Sequence, residues 1–335
     1  MSSELPRIAL FALGGTIASV PKKDGGEATP TLSAEALLDV VPQLRSVANI
    51  SATTFTQTAS GDLTLKIIHD LFSNILKALD DGVDGIVVTQ GTDTLEETAY
   101  LLDLFSSDDR PIVVTGAMRN PGLAGPDGPA NLLAAVQVAA SIAARGLGAL
   151  VVFADQIHLA RYVRKTHSTF VHTFKSPNLG PVGWLVEGTV RIPLIPRSRT
   201  TVIRLNERGI DKLPKVAQIK VGLDDDLSLL RNIETSAYGG FVIESMGGGH
   251  LPSWNVEFLG LLAQKLPVVF ASRTGSGPIY SSTYGFPGSE TDLLNHGLLS
   301  AGILDGNKAR LLLILLLANG VPLQEMQKHF LDAAM

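Results

Sequence analysis

Three short stretches of this chain carry residues whose type and setting could do chemistry. In LFALGGTIAS an aliphatic run ends in Gly14 and Gly15, and Thr16 follows. Glycines permit unusual φ and close backbone approach, so such a turn can present a hydroxyl at the carboxyl edge of a sheet. The same glycines also serve a plain strand-end turn. In IVVTQGTDTLEETAYLLDL a second aliphatic run meets a polar glycine turn and then an amphipathic pattern. Thr94 and Glu97 have the spacing of a capping box, which leaves Thr92 and Asp93 without a local role. Asp93 places a negative charge at a helix start and suits the grip of an ammonium group. In RYVRKTHSTFVHTFKSPNLGPVG, Lys165 stands among Arg161, Arg164 and His167 with no helical apolar period. A solvated basic face accounts for that run, but an amine brought to Thr92 and partly desolvated could act as base for a hydroxyl.

Other chemistries find little support. The chain has no Cys, which excludes disulfides, thiolate metal sites and cysteine nucleophiles. There is no HExxH, and the five-residue step from His167 to His172 does not suit one helical face. The run Asp224 to Asp226 lacks an EF-hand pattern and reads as a solvated turn. Neither GxGxxG, GxxxxGK nor GxSxG occurs, so threonine chemistry is what remains, with no metal and no cofactor expected.

The elements that must position these residues follow from periodicity. Aliphatic runs at Ile8 to Leu13, Ile86 to Val88, Ile112 to Val114, Leu150 to Phe153, Phe241 to Ile243 and Val268 to Phe270 suit strands buried on both faces. Between them, Ile68, Leu71, Phe72, Ile75, Leu76 and Leu79 step by three and four, as do Leu132, Leu133, Val136, Ala139 and Ala140, which predicts helices laid on a sheet. TGAMRNPGLAGPDGPANLLAAV repeats the order of strand, Gly/Pro-rich loop and helix. The alternation predicts an α/β protein whose ligands bind beyond the carboxyl ends of its strands.

With 335 residues and a soft prior of ~150 residues per domain, about two domains are expected. The stretch from Pro193 to Pro214 shows no clear element and reads as a linker. The expected division is residues 1–200, a linker at 201–214, and 215–335. Hydrophobic residues at 45% against 18% charged exclude a disordered chain. A net charge of -5 argues against a nucleic-acid or anionic-membrane surface and leaves small molecules as partners. The apolar run Leu311 to Ala318 is far short of the roughly 20 residues a membrane span needs. The N-terminal apolar run follows Glu4 and Pro6 without a basic leader, so the cytoplasm is the default location, although a removed signal peptide would leave no trace.

Taken together, ALGGTIAS, TQGTDTLEETAYLLDL, TGAMR followed by DGPANLLAA, KTHSTFVHTFKSPNLGP and NKARLLLILLL resemble the bacterial-type L-asparaginase family, in order over almost the whole chain. The resemblance implies a larger N-terminal α/β domain with a mainly parallel sheet and an uncommon left-handed crossover, and a smaller parallel α/β C-terminal domain. It implies that Thr16 attacks the side-chain amide of L-asparagine, assisted by Thr92, Lys165 and Asp93, through an acyl-enzyme that water cleaves. It implies substrate contacts from Ser60, from the turn Gly91 to Asp93, from Asp93 to the α-ammonium and from the carbonyl of Ala117. Glu290, in FPGSETDLL, matches the acidic residue that family members receive from a neighbouring subunit, and a homotetramer built from dimers is implied.

Three departures stand out. The mobile loop that carries a Tyr in well-known members has none here between Ser19 and Val41, and Glu27 lies near its place. Gly61 replaces a frequent Gln, and His250 replaces an Asn in the late glycine loop. The substrate's amino end is therefore expected to be held differently. Either Glu27 or the Thr92 and Lys165 pair must activate Thr16, and the family-like setting of the second favours it. A mixed asparaginase-glutaminase is a close variant of this reading. An amino-acid sensor that kept the fold without turnover is the competitor from another class. An amidotransferase subunit, which would call for an additional N-terminal segment, is the least favoured.

Overall fold

The computed structural model describes residues 4–21, 28–197, 201–205 and 207–333. The chain divides into two compact units, Met1–Val202 and Ile203–Met335. In the first, eight strands among the described residues form one sheet. Their spatial order is Thr189–Arg191, Gly183–Val186, Gln156–Leu159, Ala149–Phe153, Ile112–Thr115, Gly85–Thr89, Arg7–Gly14 and Asn49–Thr58. The five from Ala149–Phe153 to Asn49–Thr58 are parallel, and the other three pair antiparallel. The three central aliphatic strands are buried at every residue, as expected for strands covered on both faces. Asn49–Thr58, at the sheet edge, is mostly polar and alternates in exposure.

The helices bury most of the stripes their spacing predicts, with Leu76, Leu133 and Ala140 half-buried. Leu65–Asp80 buries Ile68, Leu71, Phe72, Ile75 and Leu79, and its Thr64 caps it by accepting from the Ile67 N–H. Gly128–Ala139 buries Leu132, Val136 and Ala139 in a core shared with Ile8, Leu10, Val87, Val113 and Val152 of the strands. Each parallel strand thus ends in a loop at the same sheet edge, where GGT, TQGTDT and TGAMR all lie.

The second unit is a smaller parallel sheet ordered Val216–Lys220, Gly240–Ser245, Val268–Ser272 and Leu299–Ser300. The stretch read as devoid of elements holds a helix, Glu207–Asp211, with Ile203, Leu205 and Ile210 buried. A helix of little more than one turn is too short to leave a periodic trace. Asp224 to Asp226 form a hydrogen-bonded turn, in which Asp225 accepts from the N–H groups of Gly222 and Leu227 and Asp226 from that of Ser228. Leu311 to Ala318 fall inside the helix Gly306–Ala318. Among the described residues no helix is long and apolar enough to cross a membrane.

His158, fully buried on the strand Gln156–Leu159, has Nδ1 2.9 Å from Ser176 Oγ. Burial, and then the charge of Lys175, push its pKa down to about 4. An unfolded imidazole titrates near ~6.5. The unfolded state therefore binds the extra proton first, and the stability this neutral histidine contributes is full above that pH and lost as pH falls toward the folded value. Between pH 7 and pH 4.5 the loss from this group is roughly 2–3 kcal/mol. Urea denaturation of wild type and His158→Asn at both pH values checks it: the variant should lose less stability on acidification, and equal losses would refute the assignment.

Candidate active site

The first strand delivers Thr16 through two glycines in the left-handed region, Gly14 at φ 101° and Gly15 at φ 79°. A Cβ on Gly15 would stand 2.0 Å from the Gly91 nitrogen and 2.2 Å from its Cα, so the turn bearing Thr16 rests directly on the TQGTDT turn. No other residue permits that approach. Thr16 opens a 3-10 turn, Thr16–Ala18, and is half-buried while Ile17 and Ala18 are fully covered. The Ser19 hydroxyl donates to the Gly15 carbonyl at 2.8 Å and steadies the turn.

Ser60 follows the edge strand and is buried against the same turn. Its hydroxyl accepts from the Asp93 N–H at 3.3 Å, and its carbonyl accepts from the Thr94 hydroxyl at 2.9 Å. This corrects the expected capping box: Thr94 holds the N-cap position of Leu95–Phe105, but its side chain caps nothing and instead ties that helix to Ser60. Around Gly61 a Cβ would meet no atom within 4 Å, so this position is open space. Gln90 is fully buried, with its side-chain nitrogen donating to the Gly91 carbonyl at 3.2 Å.

Lys165 reaches this turn from a two-stranded ribbon of Arg164–Lys165 against Phe174–Lys175. Its Nζ donates to Thr92 Oγ1 at 2.9 Å and pairs with Asp93 Oδ1 at 2.6 Å. The lysine side chain is 16% exposed and that of Asp93 76%, so the amine is largely enclosed and the carboxylate open to a ligand. The condition set by the sequence is met, and the basic run is only in part a solvated face: Arg161 is buried and Arg164 half-buried, while His167 is exposed.

The sequence reading missed Glu96. Its buried carboxylate accepts the backbone N–H of Lys165 and anchors the ribbon to the first turn of the helix that follows Asp93. A charged residue on the face of that helix adjoining Leu95, Ala99 and Leu102 was the available signal. Ala117 is buried in the turn after Ile112–Thr115, where a Cβ on its neighbour Gly116 would stand 2.5 Å from the Gln90 carbonyl oxygen. Ser60, Gly91, Thr92, Asp93 and Lys165 are thus gathered by hydrogen bonds, and Thr16 joins them through the Gly15 and Gly91 contact.

In the second unit, His250 and Glu290 come together. Glu290 begins the helix Glu290–Asn295 and is fully buried; its Oε1 accepts from the Thr283 and Tyr284 N–H groups at 2.7 Å each. Its Oε2 lies 3.3 Å from His250 Nε2. Burial pushes the carboxyl up, but the Tyr284 and Thr283 N–H groups and the facing His250 outweigh it and hold the pKa below the usual value. The rings of Tyr284 and Phe286 meet the His250 ring edge-on, each at 5.2 Å. Glu27 lies outside the described residues. Among the described residues no three His, Asp or Glu side chains gather to hold a metal ion.

Residues 7–196 match the family model for the asparaginase N-terminal domain, and residues 215–330 that for the glutaminase/asparaginase C-terminal domain. L-asparaginase 2 of Bacillus subtilis is 35% identical over 98% of this chain and 86% of its own length. L-asparaginase 2 of Escherichia coli is 34% identical over 97% and 93%. A solved structure described as "Probable Cytoplasmic L-asparaginase from Campylobacter jejuni" superposes with a TM-score of 0.86 at 32% identity, covering 97% of this chain and 99% of that one. With both family models matched in order along one chain, and with this identity sustained over almost its full length, the protein belongs to the asparaginase family of hydrolases.

Proposed function

We propose that the protein hydrolyses L-asparagine to L-aspartate and ammonia, with Thr16 as nucleophile. The observation that carries this reading is the bond from Lys165 Nζ to Thr92 Oγ1, made at a turn in backbone contact with the one that bears Thr16. An alcohol attacks an amide slowly until a base takes its proton. Substrate ammonium arriving at the exposed Asp93 carboxylate competes with Lys165 for Oδ1 and leaves the amine on the Thr92 hydroxyl, where it can accept a proton. Thr16 Oγ then adds to the amide carbon as its proton passes to the Thr92 and Lys165 pair, the pair returns that proton to the nitrogen as the C–N bond breaks, ammonia leaves, and the Thr16 ester remains. Water, deprotonated by the Thr92 and Lys165 pair, adds to the ester and releases aspartate and the free hydroxyl.

Ser60 and the N–H groups of the turn Gly91 to Asp93 hold the α-carboxylate, while the carbonyl of Ala117 faces the leaving amide. Asp93 holds the α-ammonium together with a neighbouring copy, where the half-buried His250 faces the ligand and the buried Glu290 carboxylate supplies the negative charge behind it, in a homotetramer built from dimers. The expected cofactor is none. A cytoplasmic location belongs to the same reading, supported by the wording for the Campylobacter jejuni protein, whereas a Haemophilus influenzae relative, 33% identical over 99% of this chain and 94% of its own length, is named periplasmic.

Ammonia release by purified protein, measured with L-asparagine beside L-glutamine, tests the proposal. Turnover of asparagine is the expected result, and turnover of both marks mixed specificity. Saturable binding of asparagine without ammonia would overturn the reading in favour of an amino-acid sensor.

A further inference from the structure

Asp127 occupies the N-cap position of the helix Gly128–Ala139, but its side chain bonds to none of that helix's backbone N–H groups. Aspartate at an N-cap ordinarily spends its oxygens there. Here both oxygens turn back onto the TGAMR turn. Oδ1 accepts from the N–H of Met118 at 3.1 Å and of Arg119 at 2.8 Å; Oδ2 accepts from Met118 N–H at 3.0 Å and from the Asn131 side chain at 3.2 Å. Asn131, buried one helical turn further on, donates from the same nitrogen to the Gly116 carbonyl at 3.0 Å. Its oxygen accepts from the N–H of Ala154, a non-glycine residue at φ 48°, at 2.9 Å. The pair therefore joins the turns that end two neighbouring strands.

The consequence for Ala117 follows from peptide geometry. The Ala117 carbonyl and the Met118 N–H belong to one planar trans unit and point in opposite directions. Holding that N–H on Asp127 aims the carbonyl the other way, and holding the Gly116 carbonyl on Asn131 fixes the unit on the other side of Ala117. Neither side chain needs to touch a substrate to do this. Resting on the reading that the Ala117 carbonyl receives the leaving amide, we propose that Asp127 and Asn131 are positioning residues for amide cleavage, clamping both peptide units of Ala117 so that its carbonyl accepts an N–H from the departing nitrogen.

An ester separates this role from a general structural one. Asparagine and the β-methyl ester of L-aspartate form the same acyl-enzyme, but methoxide has no N–H to give to a carbonyl. For wild type and Asp127→Asn, kcat/KM on each substrate reports formation of that acyl-enzyme. The ratio of the two is independent of how much of a preparation is folded. Asp127→Asn should lower the amide-to-ester ratio roughly tenfold, the scale of one lost hydrogen bond. Asp127→Glu, which keeps the carboxylate, should restore part of it. An unchanged ratio in Asp127→Asn, whether both rates fall or neither does, overturns the inference; if that variant cannot be purified, an unchanged ratio in Asn131→Ala does so. A wild type that releases no ammonia from asparagine would overturn the functional reading and this inference with it, whereas an active wild type with an unmoved ratio strikes the inference alone.

Discussion

Thr16→Ala is expected to abolish turnover of L-asparagine while leaving the fold and part of the binding intact. The oxygen removed is the proposed point of covalent attachment, and loss of a nucleophile costs on the order of 10⁴-fold or more in kcat rather than a modest change in KM. The fold should tolerate the change because Thr16 is only half-buried, whereas the contacts that build its turn belong to Gly14, Gly15 and Ser19. Binding should persist because Ser60, Asp93 and the Gly91 turn are held by bonds in which Thr16 takes no part. Steady-state ammonia release, thermal melting and calorimetric titration of asparagine make the three measurements. Mass spectrometry of a rapidly quenched wild-type reaction should find an aspartyl ester on this threonine. Near-full activity in the alanine variant would remove Thr16 from the mechanism.

Lys165→Met is expected to lower kcat by ~10²-fold or more, the scale of a lost general base. Methionine keeps most of the stem that lies enclosed beside Thr92 and removes the amine that bonds to Thr92 and Asp93. The bond from the Lys165 backbone to Glu96 survives the substitution, so the ribbon should stay in place. Glu27→Gln should cost far less, since the enclosed amine already meets a hydroxyl at hydrogen-bond distance. Both variants are to be compared at saturating asparagine across a range of pH. The reverse ranking would move the base to the loop and refute the role given to Lys165.

What could be read directly from the residues is what neighbours in the chain determine. Val87 and Val113 are buried because runs of aliphatic residues form strands with no wet face, and Leu71 and Ile75 are buried because their spacing matches a helical turn. Gly15 marks a turn because only glycine takes that φ without strain, and this too is local. Since parallel strands end at one edge, the order of strand, polar turn and helix already placed GGT, TQGTDT and TGAMR together, and their wording pointed to the family. Tertiary structure decided the partners. Lys165 lies 73 residues beyond Thr92, and its basic surroundings fitted a solvated face as well as a site until the ribbon and the carboxylate of Glu96 fixed it there. Thr94 and Asp127 both stand where a helix cap is expected, yet one bonds to Ser60 and the other to Met118 and Arg119. A polar side chain at a helix start can satisfy its own turn or a distant one at similar enthalpy, and the choice depends on which backbone the packed sheet brings within about 3 Å, a sum over many contacts that no short window of sequence contains.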